Sequence, residues 1–384
     1  MQEQFIAKTL QGFEPILAKE LIELGARDVE ILKRAVAFSG NKATLYAANI
    51  YLRTAIKILK PIASFTANNE HELYDKVMAI DWTEIMDVDD TFAIDNTVYS
   101  TVFTHSNYPA LKMKDAIVDQ FRNKFDKRPS IDKINPTYRF NLRVKENEIS
   151  ISLDSSGESL HKRGYRTEQH TAPMSEVQAA GLILLSGWNY NIPLYDPMCG
   201  SGTILIEAAL IANNIAPGLI RKHFGFQLWK DYDMTLFRQL IVQATSEVKN
   251  NKLMIRGSDI SQRNLDMAKI HIQNAVPDAG IELFVASFED TDASQQKSML
   301  IMNPPYGERM QQERIIEFYQ MIGNTLKRKY AGCIAWVFSG NLEAAKFIGL
   351  KPSEKIKLKN GPIDCVFLKF EIREGKFGQK VGDN

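Results

Sequence analysis

The sequence predicts an α/β protein: a mostly parallel sheet, wound with helices and ending in an antiparallel hairpin, preceded by two smaller α+β units. Three observations predict it. After Ser155-Ser156-Gly157, short apolar strands alternate with longer amphipathic helices, the pattern of strands joined by helical crossovers. Near the end, segments 355–359 and 365–372 flank the turn Asn360-Gly361-Pro362, which is too short to be a parallel crossover. Ahead of residue 157, strand and helix periods mix without that regular alternation.

The elements follow in order. The first unit, residues 1–61, opens with a strand at 4–9 and an amphipathic helix at 14–24, where Gly25 sits at the C-cap position. A strand-like segment at 29–39 follows, then a helical pattern at 43–59 that Pro61 should stop. The second unit, residues 62–158, has helical periodicity at 111–125. Its segments 138–144 and 149–153 alternate around the polar turn 145–148 and predict a hairpin. The third unit, residues 159–384, has strands at 194–196, 253–259, 281–286, 299–302 and 332–338. Helices at 203–213, 262–274 and 311–329 lie between them.

Composition sets limits on what the chain does. In 384 residues, 45% are hydrophobic and 24% charged, values typical of globular chains. No apolar run is long enough to span a membrane, and the N-terminus lacks the features of a signal peptide, so a cytoplasmic protein is expected. Cys199, Cys333 and Cys365 show no paired spacing, which argues against a zinc site or a disulfide framework; no metal is expected. The formal charge is only +1, but residues 111–145 hold ten cations against four carboxylates. Lys112, Lys114 and Arg128 belong to this cluster, which suits a face that docks on nucleic-acid phosphates. A solvated surface of uneven charge is the alternative.

Asp196-Pro197-Met198-Cys199-Gly200-Ser201-Gly202-Thr203 joins a predicted strand to a predicted helix. Gly200 and Gly202 let the backbone approach a ligand, and the helix start offers free N–H groups to a carboxylate. Those needs fit the methionine end of S-adenosylmethionine. Asp259 ends the next strand, where a carboxylate can accept both ribose hydroxyls of an adenosine. It lies 57 positions after Gly202, far beyond the spacing of a plain dinucleotide fold, with the insertion 214–250 filling the gap. The alternative for Asp259 is a helix cap.

Asn303-Pro304-Pro305-Tyr306 follows the strand at 299–302, at the sheet edge where open α/β folds place their ligands. The exocyclic amine of guanine or adenine is a weak nucleophile because its lone pair is delocalised into the ring. The Asn303 side-chain oxygen and the Pro304 carbonyl can each accept one amine N–H. Held this way, the nitrogen pyramidalises toward an electrophilic methyl group. Two prolines stiffen the loop, and Tyr306 offers a face to an extruded base. A Pro-Pro turn that simply ends a strand is the bland reading.

With Ile204-Leu205-Ile206-Glu207-Ala208-Ala209 after the first loop and Gly307-Glu308-Arg309 after the second, the chain resembles the THUMP-domain class I RNA methyltransferases. The likeness is to the RlmL-type 23S rRNA guanine-N2 methyltransferases, whose relatives are often labelled N6-adenine-specific DNA methylases. Leu160-His161-Lys162-Arg163-Gly164-Tyr165-Arg166 and Ala172-Pro173-Met174 match the start of that family's catalytic domain, and the resemblance covers essentially the whole chain. It implies a ferredoxin-like unit, a THUMP domain binding RNA and a Rossmann-like class I methyltransferase domain. It implies that Asp196, Cys199, Gly200, Ser201, Gly202 and Thr203 line the methionine portion of S-adenosylmethionine. Asp259 and Ile260 would sit at the ribose, with Ala172 and Asn303 also bordering the cofactor. By the same resemblance Asn303 and the Pro304 carbonyl grip the amine, with Tyr306 against the base.

Two departures stand out. Where relatives often carry an Asp contacting the adenine, this chain has Ser287-Phe288, so that contact would come from the Ser287 hydroxyl or nearby backbone. The second methyltransferase domain fused in some relatives does not follow in this sequence. Lys162, Arg163, Arg166 and Arg309 are candidate RNA contacts, with salt bridges or a surface ion pair as the alternatives. Cys199 reads as a small packed residue rather than a nucleophile. Adenine-N6 methylation of DNA or RNA is the competing enzymatic reading, and a non-catalytic RNA-binding assembly factor the competing class. A sulfur-transfer enzyme would need a nucleotide loop and a reactive cysteine pair, and neither is present.

Overall fold

The computed structural model describes residues 2–166, 174–293, 297–306 and 312–373. The chain divides into two compact units. One comprises Met1–Thr9, Leu17–Lys162 and Arg221–Gln243, the other Leu10–Ile16, Arg163–Ile220 and Ala244–Asn384. No helix among the described residues is long and apolar enough to cross a membrane.

The first unit is built on β1 (Glu3–Thr9), α1 (Glu14–Glu23), β2 (Arg27–Leu32), β3 (Ala35–Gly40), α2 (Lys42–Tyr51), β4 (Ala55–Thr66), α3 (Glu70–Met78), β5 (Thr91–Tyr99), α4 (Tyr108–Phe125), β6 (Ser130–Ile131), β7 (Tyr138–Lys145) and β8 (Glu148–Asp154). Its sheet runs β2-β3-β1-β4-β8-β7-β5-β6. The 12-residue β4 pairs with β1 through its first half and with β8 through its second, so one strand carries both halves of the sheet.

Two expectations needed correction here. Segment 29–39 is not one strand but the hairpin β2–β3, because Arg34 takes a left-handed φ of 57° and reverses the chain. The helical pattern at 43–59 is helix only to Tyr51, and β4 begins at Ala55. Pro61 lies inside that strand rather than ending a helix. The pairing with β8 shifts register between Pro61 and Ala63, the kind of irregularity that accommodates a residue without an N–H. The 138–144 and 149–153 hairpin forms as expected, with Lys145 opposite Glu148 across a two-residue turn.

The segment from Arg221 is anchored in this unit. Its guanidinium donates to the carbonyls of Ser156, Glu158, Ser159 and Lys162, at 2.7–3.4 Å. Phe226 stacks on Tyr46, with ring centroids 4.1 Å apart. Much of the expected insertion therefore packs as part of the first unit.

The second unit follows with α5 (Glu176–Ser186), β9 (Leu194–Asp196), α6 (Thr203–Ala212), α7 (Met234–Ser246, which crosses the division), β10 (Ile255–Asp259), α8 (Gln262–Ala275), β11 (Glu282–Val285), β12 (Met299–Met302), α9 (Gln312–Lys329), β13 (Ile334–Ser339), β14 (Glu354–Asn360) and β15 (Ile363–Glu371). The sheet order is β11-β10-β9-β12-β13-β15-β14. β9 to β13 run parallel, and β15 is antiparallel to both of its neighbours. Successive residues alternate between two cores. Met299 and Ile301 join one with α5, α6 and α8, while Leu300 and Met302 join the other with α9. The central strand β12 is apolar on both faces because both are covered.

Candidate active site

Strand order reverses at β9, which has β10 on one side and β12 on the other. Such a reversal opens a crevice beyond the strand ends, and open α/β sheets bind their ligands there. The segment 196–203 leaves β9 and the tetrapeptide 303–306 leaves β12. The pairing of Leu300 with Tyr195 puts these two exits on adjacent strands.

The first exit is held tightly. Asp196 is 1% exposed and accepts the Met198 N–H at 3.1 Å. Burial raises its pKa from the usual 3.8 to about 8, with the Asp259 charge adding to the rise. The Cys199 amide donates to the Ser258 carbonyl at 2.9 Å, and the Gly202 amide to the Cys199 carbonyl at 2.8 Å. Cys199 is buried, and burial pushes its thiol well above the ordinary pKa, which disfavours the thiolate. Gly200 and Gly202 both have left-handed backbones, with φ of 53° and 82°. A Cβ at Gly200 would meet none of the described residues within 4 Å. At Gly202 it would lie 3.1 Å from the Ala268 Cβ, so this glycine lets α6 pack against α8. The N-cap residue of α6, Gly202, has no side chain to cap it.

Asp259 is placed to do two things. Its Oδ2 accepts the Gly200 N–H at 3.0 Å, and its Oδ1 accepts the Ser261 N–H at 2.9 Å and the Asn264 amide at 3.0 Å. The N-cap of α8 is Ser261, whose hydroxyl accepts the Asn264 N–H; Asp259 supports that cap from one oxygen and holds the glycine turn with the other. The next side chain, Ile260, is 76% exposed, and Val285 at the end of β11 is 51% exposed. Together these two strand ends present apolar surface beside the carboxylate. Ser287 is half-buried and its side chain makes no cap bond. The Phe288 ring lies in the core, 5.3 Å from Tyr330, so any ligand contact at 288 falls to its backbone.

The second exit carries an anomaly. The Asn303 Oδ1 is buried, yet it has no hydrogen-bond partner among the described residues. A buried acceptor left unpaired costs on the order of 1–3 kcal/mol, and such groups call for a functional reason. Pro304 is buried and Pro305 exposed. The Tyr306 hydroxyl accepts from Asn360 Nδ2 at 2.8 Å, and the ring meets Phe338 edge-on at 6.4 Å. A Cβ at Gly340 would come within 2.7 Å of that ring. Asn360, Phe338 and Gly340 thus set the Tyr306 ring. Sequence reasoning missed all three, although Asn360 was in view as part of a hairpin turn.

The expected RNA contacts fare unevenly. Arg163 is 1% exposed and lies 3.5 Å from the buried Glu207, so it cannot meet a phosphate; that expectation is corrected. Arg166 also turns inward, donating to the Thr203 hydroxyl at 2.8 Å and the Met174 carbonyl at 2.7 Å. Lys162 is exposed but paired with Glu158 at 2.7 Å. In the first unit Lys112 lies over the Tyr108 ring, Lys114 pairs with Asp115, and Arg128 is exposed. Ala172 and Arg309 lie outside the described residues.

Residues 163–369 match the RMKL-like methyltransferase domain, residues 67–154 the THUMP domain and residues 4–59 the RlmL ferredoxin-like domain. A proposed RNA methyltransferase of Synechocystis sp. is 39% identical over 370 residues, covering 96% of each chain. The ribosomal RNA large subunit methyltransferase K/L of Syntrophotalea carbinolica is 38% identical over 97% of this chain, which spans 54% of that longer protein. Among solved structures, SMU.472, a proposed methyltransferase complexed with SAH, superposes with a TM-score of 0.87. It is 28% identical and covers 98% of this chain and 99% of its own.

Proposed function

This chain belongs to the RMKL-like methyltransferase family, and from that membership we propose that it methylates guanine N2 in 23S rRNA, using S-adenosylmethionine. The observation that carries the reading is the unpaired, buried Asn303 Oδ1, at a strand exit adjacent to the glycine turn. No donor among the described residues satisfies it there, and an exocyclic amine brought by a substrate would be such a donor.

The residues fit the cofactor. S-adenosylmethionine supplies a methyl group already activated by its positive sulfur. Gly200, Ser201, Gly202 and Thr203 would hold the methionine carboxylate at the uncapped start of α6. Asp259, whose Oδ2 accepts one bond from the chain, has capacity left for ribose hydroxyls. Ile260 offers its exposed side chain to the apolar face of the nucleoside. The buried Asp196 is a carboxylate whose ionised form a cationic ligand would favour.

At the second exit, Asn303 Oδ1 and the Pro304 carbonyl would each accept an amine N–H, and Tyr306 would lie against the base. Holding the amine in line supplies most of the acceleration, because placement replaces a bimolecular encounter. Binding of rRNA would draw on the cations of the 111–145 segment, Arg128 foremost.

The test is to incubate rRNA with the full chain and labelled S-adenosylmethionine, digest it, and identify the product nucleoside. N2-methylguanine is expected. N6-methyladenine as the sole product would replace the substrate reading, and no labelled nucleoside from RNA or DNA would end the enzymatic one.

A further inference from the structure

Four consecutive residues, Arg163-Gly164-Tyr165-Arg166, direct three side chains into the helices around the glycine turn. Arg163 faces Glu207 of α6. The buried Tyr165 hydroxyl donates to the same carboxylate at 3.4 Å, its ring lies 6.3 Å from that of His271 on α8, and its carbonyl accepts from Asn274 at 3.1 Å. His271 in turn places Nδ1 3.2 Å from the Ser201 carbonyl, inside the turn itself. Arg166 reaches the first residue of α6 through the Thr203 hydroxyl and lies 3.3 Å from the carboxylate of Glu176, the first residue of α5. Thr203 and Glu207 are four positions apart on one helix, so the tetrapeptide grips a single face of α6 at two levels.

Buried charges are costly unless paired and well placed, and their arrangement then fixes relative position more than it adds stability. Here the fixed object is the start of α6. Resting on the reading that this turn holds S-adenosylmethionine, we propose that Arg166 is a positioning residue for the cofactor. By donating to Thr203 it sets the open amides of α6 and braces them against α5. The cation acts on cofactor affinity and leaves RNA affinity alone, the opposite of a phosphate contact.

The experiment uses the full chain and isothermal calorimetry with S-adenosylhomocysteine, alongside filter binding of an rRNA fragment. Arg166→Ala is expected to weaken S-adenosylhomocysteine binding by about tenfold or more, the scale of a lost charge-assisted bond, with the RNA Kd within about twofold of wild type. Thr203→Val removes the acceptor at nearly constant shape and should lose affinity, while Thr203→Ser should keep it; Arg166→Met, which keeps the side chain's length but removes its donors, should lose affinity as Arg166→Ala does and takes its place if that variant does not fold. The double variant Arg166→Ala/Thr203→Val should lose little more than Arg166→Ala alone, because the bond that Thr203→Val breaks is already gone without the guanidinium. Unchanged S-adenosylhomocysteine affinity in Arg166→Ala, fully additive losses, or RNA binding falling alone would overturn the proposal. A wild-type chain that fails to bind S-adenosylhomocysteine is a distinct result, since it removes the cofactor reading itself.

Discussion

The Gly200 amide donates to the Asp259 carboxylate at 3.0 Å, so the turn leaving β9 is fastened to the end of β10 by one side chain. The same carboxylate holds the Ser261 amide and the Asn264 side chain at the start of α8. Replacing Asp259 with Ala therefore releases three donors at once. The expected result is a lowered melting temperature together with at least tenfold weaker S-adenosylhomocysteine binding, each lost charged bond being worth roughly 1.5–3 kcal/mol. Calorimetry and thermal melting on one preparation check both. A variant with normal melting and normal binding would show that the turn holds its shape without this carboxylate.

Asn303→Ala should behave in the opposite way on stability. The Oδ1 has no partner to lose among the described residues, so removing it breaks no bond and relieves a buried unpaired acceptor. Methyl transfer should fall below detection while the melting temperature stays level or rises and S-adenosylhomocysteine affinity is retained. Wild-type turnover in this variant would remove Asn303 from the chemistry.

Asp196 gives a pH dependence with a definite sign. Its folded pKa is about 8 against a usual 3.8, so between those values the folded chain keeps a proton that the unfolded chain has released. Each upward step of pH in that window removes stability, and by about pH 8 the loss is complete. Glu176, raised to about 7 chiefly by burial, adds to the same trend over the lower part of the window. Asp196→Asn should therefore melt higher than wild type at pH 8 and match it near pH 4, measured without cofactor. A constant difference across that range would show that the titration at 196 is absent.

Much of this was legible in the sequence because the deciding signals are local. The glycine turn, the tetrapeptide and the antiparallel ending of the sheet each declare themselves within a few residues, and the observed strand order depends on them. The misreadings arose where the deciding contact is distant. The mostly apolar segment 55–59 fits a helix period as well as a strand, and only pairing with β1 and β8 makes it β4. Arg163 and Arg166 look like surface cations until Glu207, Glu176 and Thr203 come to meet them. Tyr306 is visible in sequence, but Asn360 lies 54 positions away and reaches it only through the fold.

That last contact yields a prediction about the substrate side. With the Asn360 bond gone, the Tyr306 ring keeps its packing on Phe338 and Gly340 but loses one hydrogen bond at its hydroxyl. Asn360→Ala should lower kcat/KM for RNA by about fivefold to tenfold, in line with one neutral hydrogen bond, and leave S-adenosylhomocysteine binding alone. Tyr306→Phe should show the same loss, and the two changes together little more. Independent, multiplying losses would mean that each residue serves a separate purpose.

The basic segment of the first unit separates its cations by whether a carboxylate already claims them. Lys114 is paired with Asp115 at 2.7 Å, Arg122 with Asp119 at 3.0 Å and Lys124 with Asp81 at 2.9 Å, while Arg128 is exposed, just beyond the end of α4. A phosphate must displace a carboxylate to recruit the paired cations, whereas none among the described residues competes for Arg128. Arg128→Ala should therefore reduce the slope of log affinity against log salt by about one, the loss of a single phosphate contact. Lys114→Ala should change it by less. Lys112, over the Tyr108 ring, is held in place without being neutralised and should behave like Arg128. Equal slopes for all three variants, measured on one rRNA fragment across a salt series, would move the docking face to another part of the molecule.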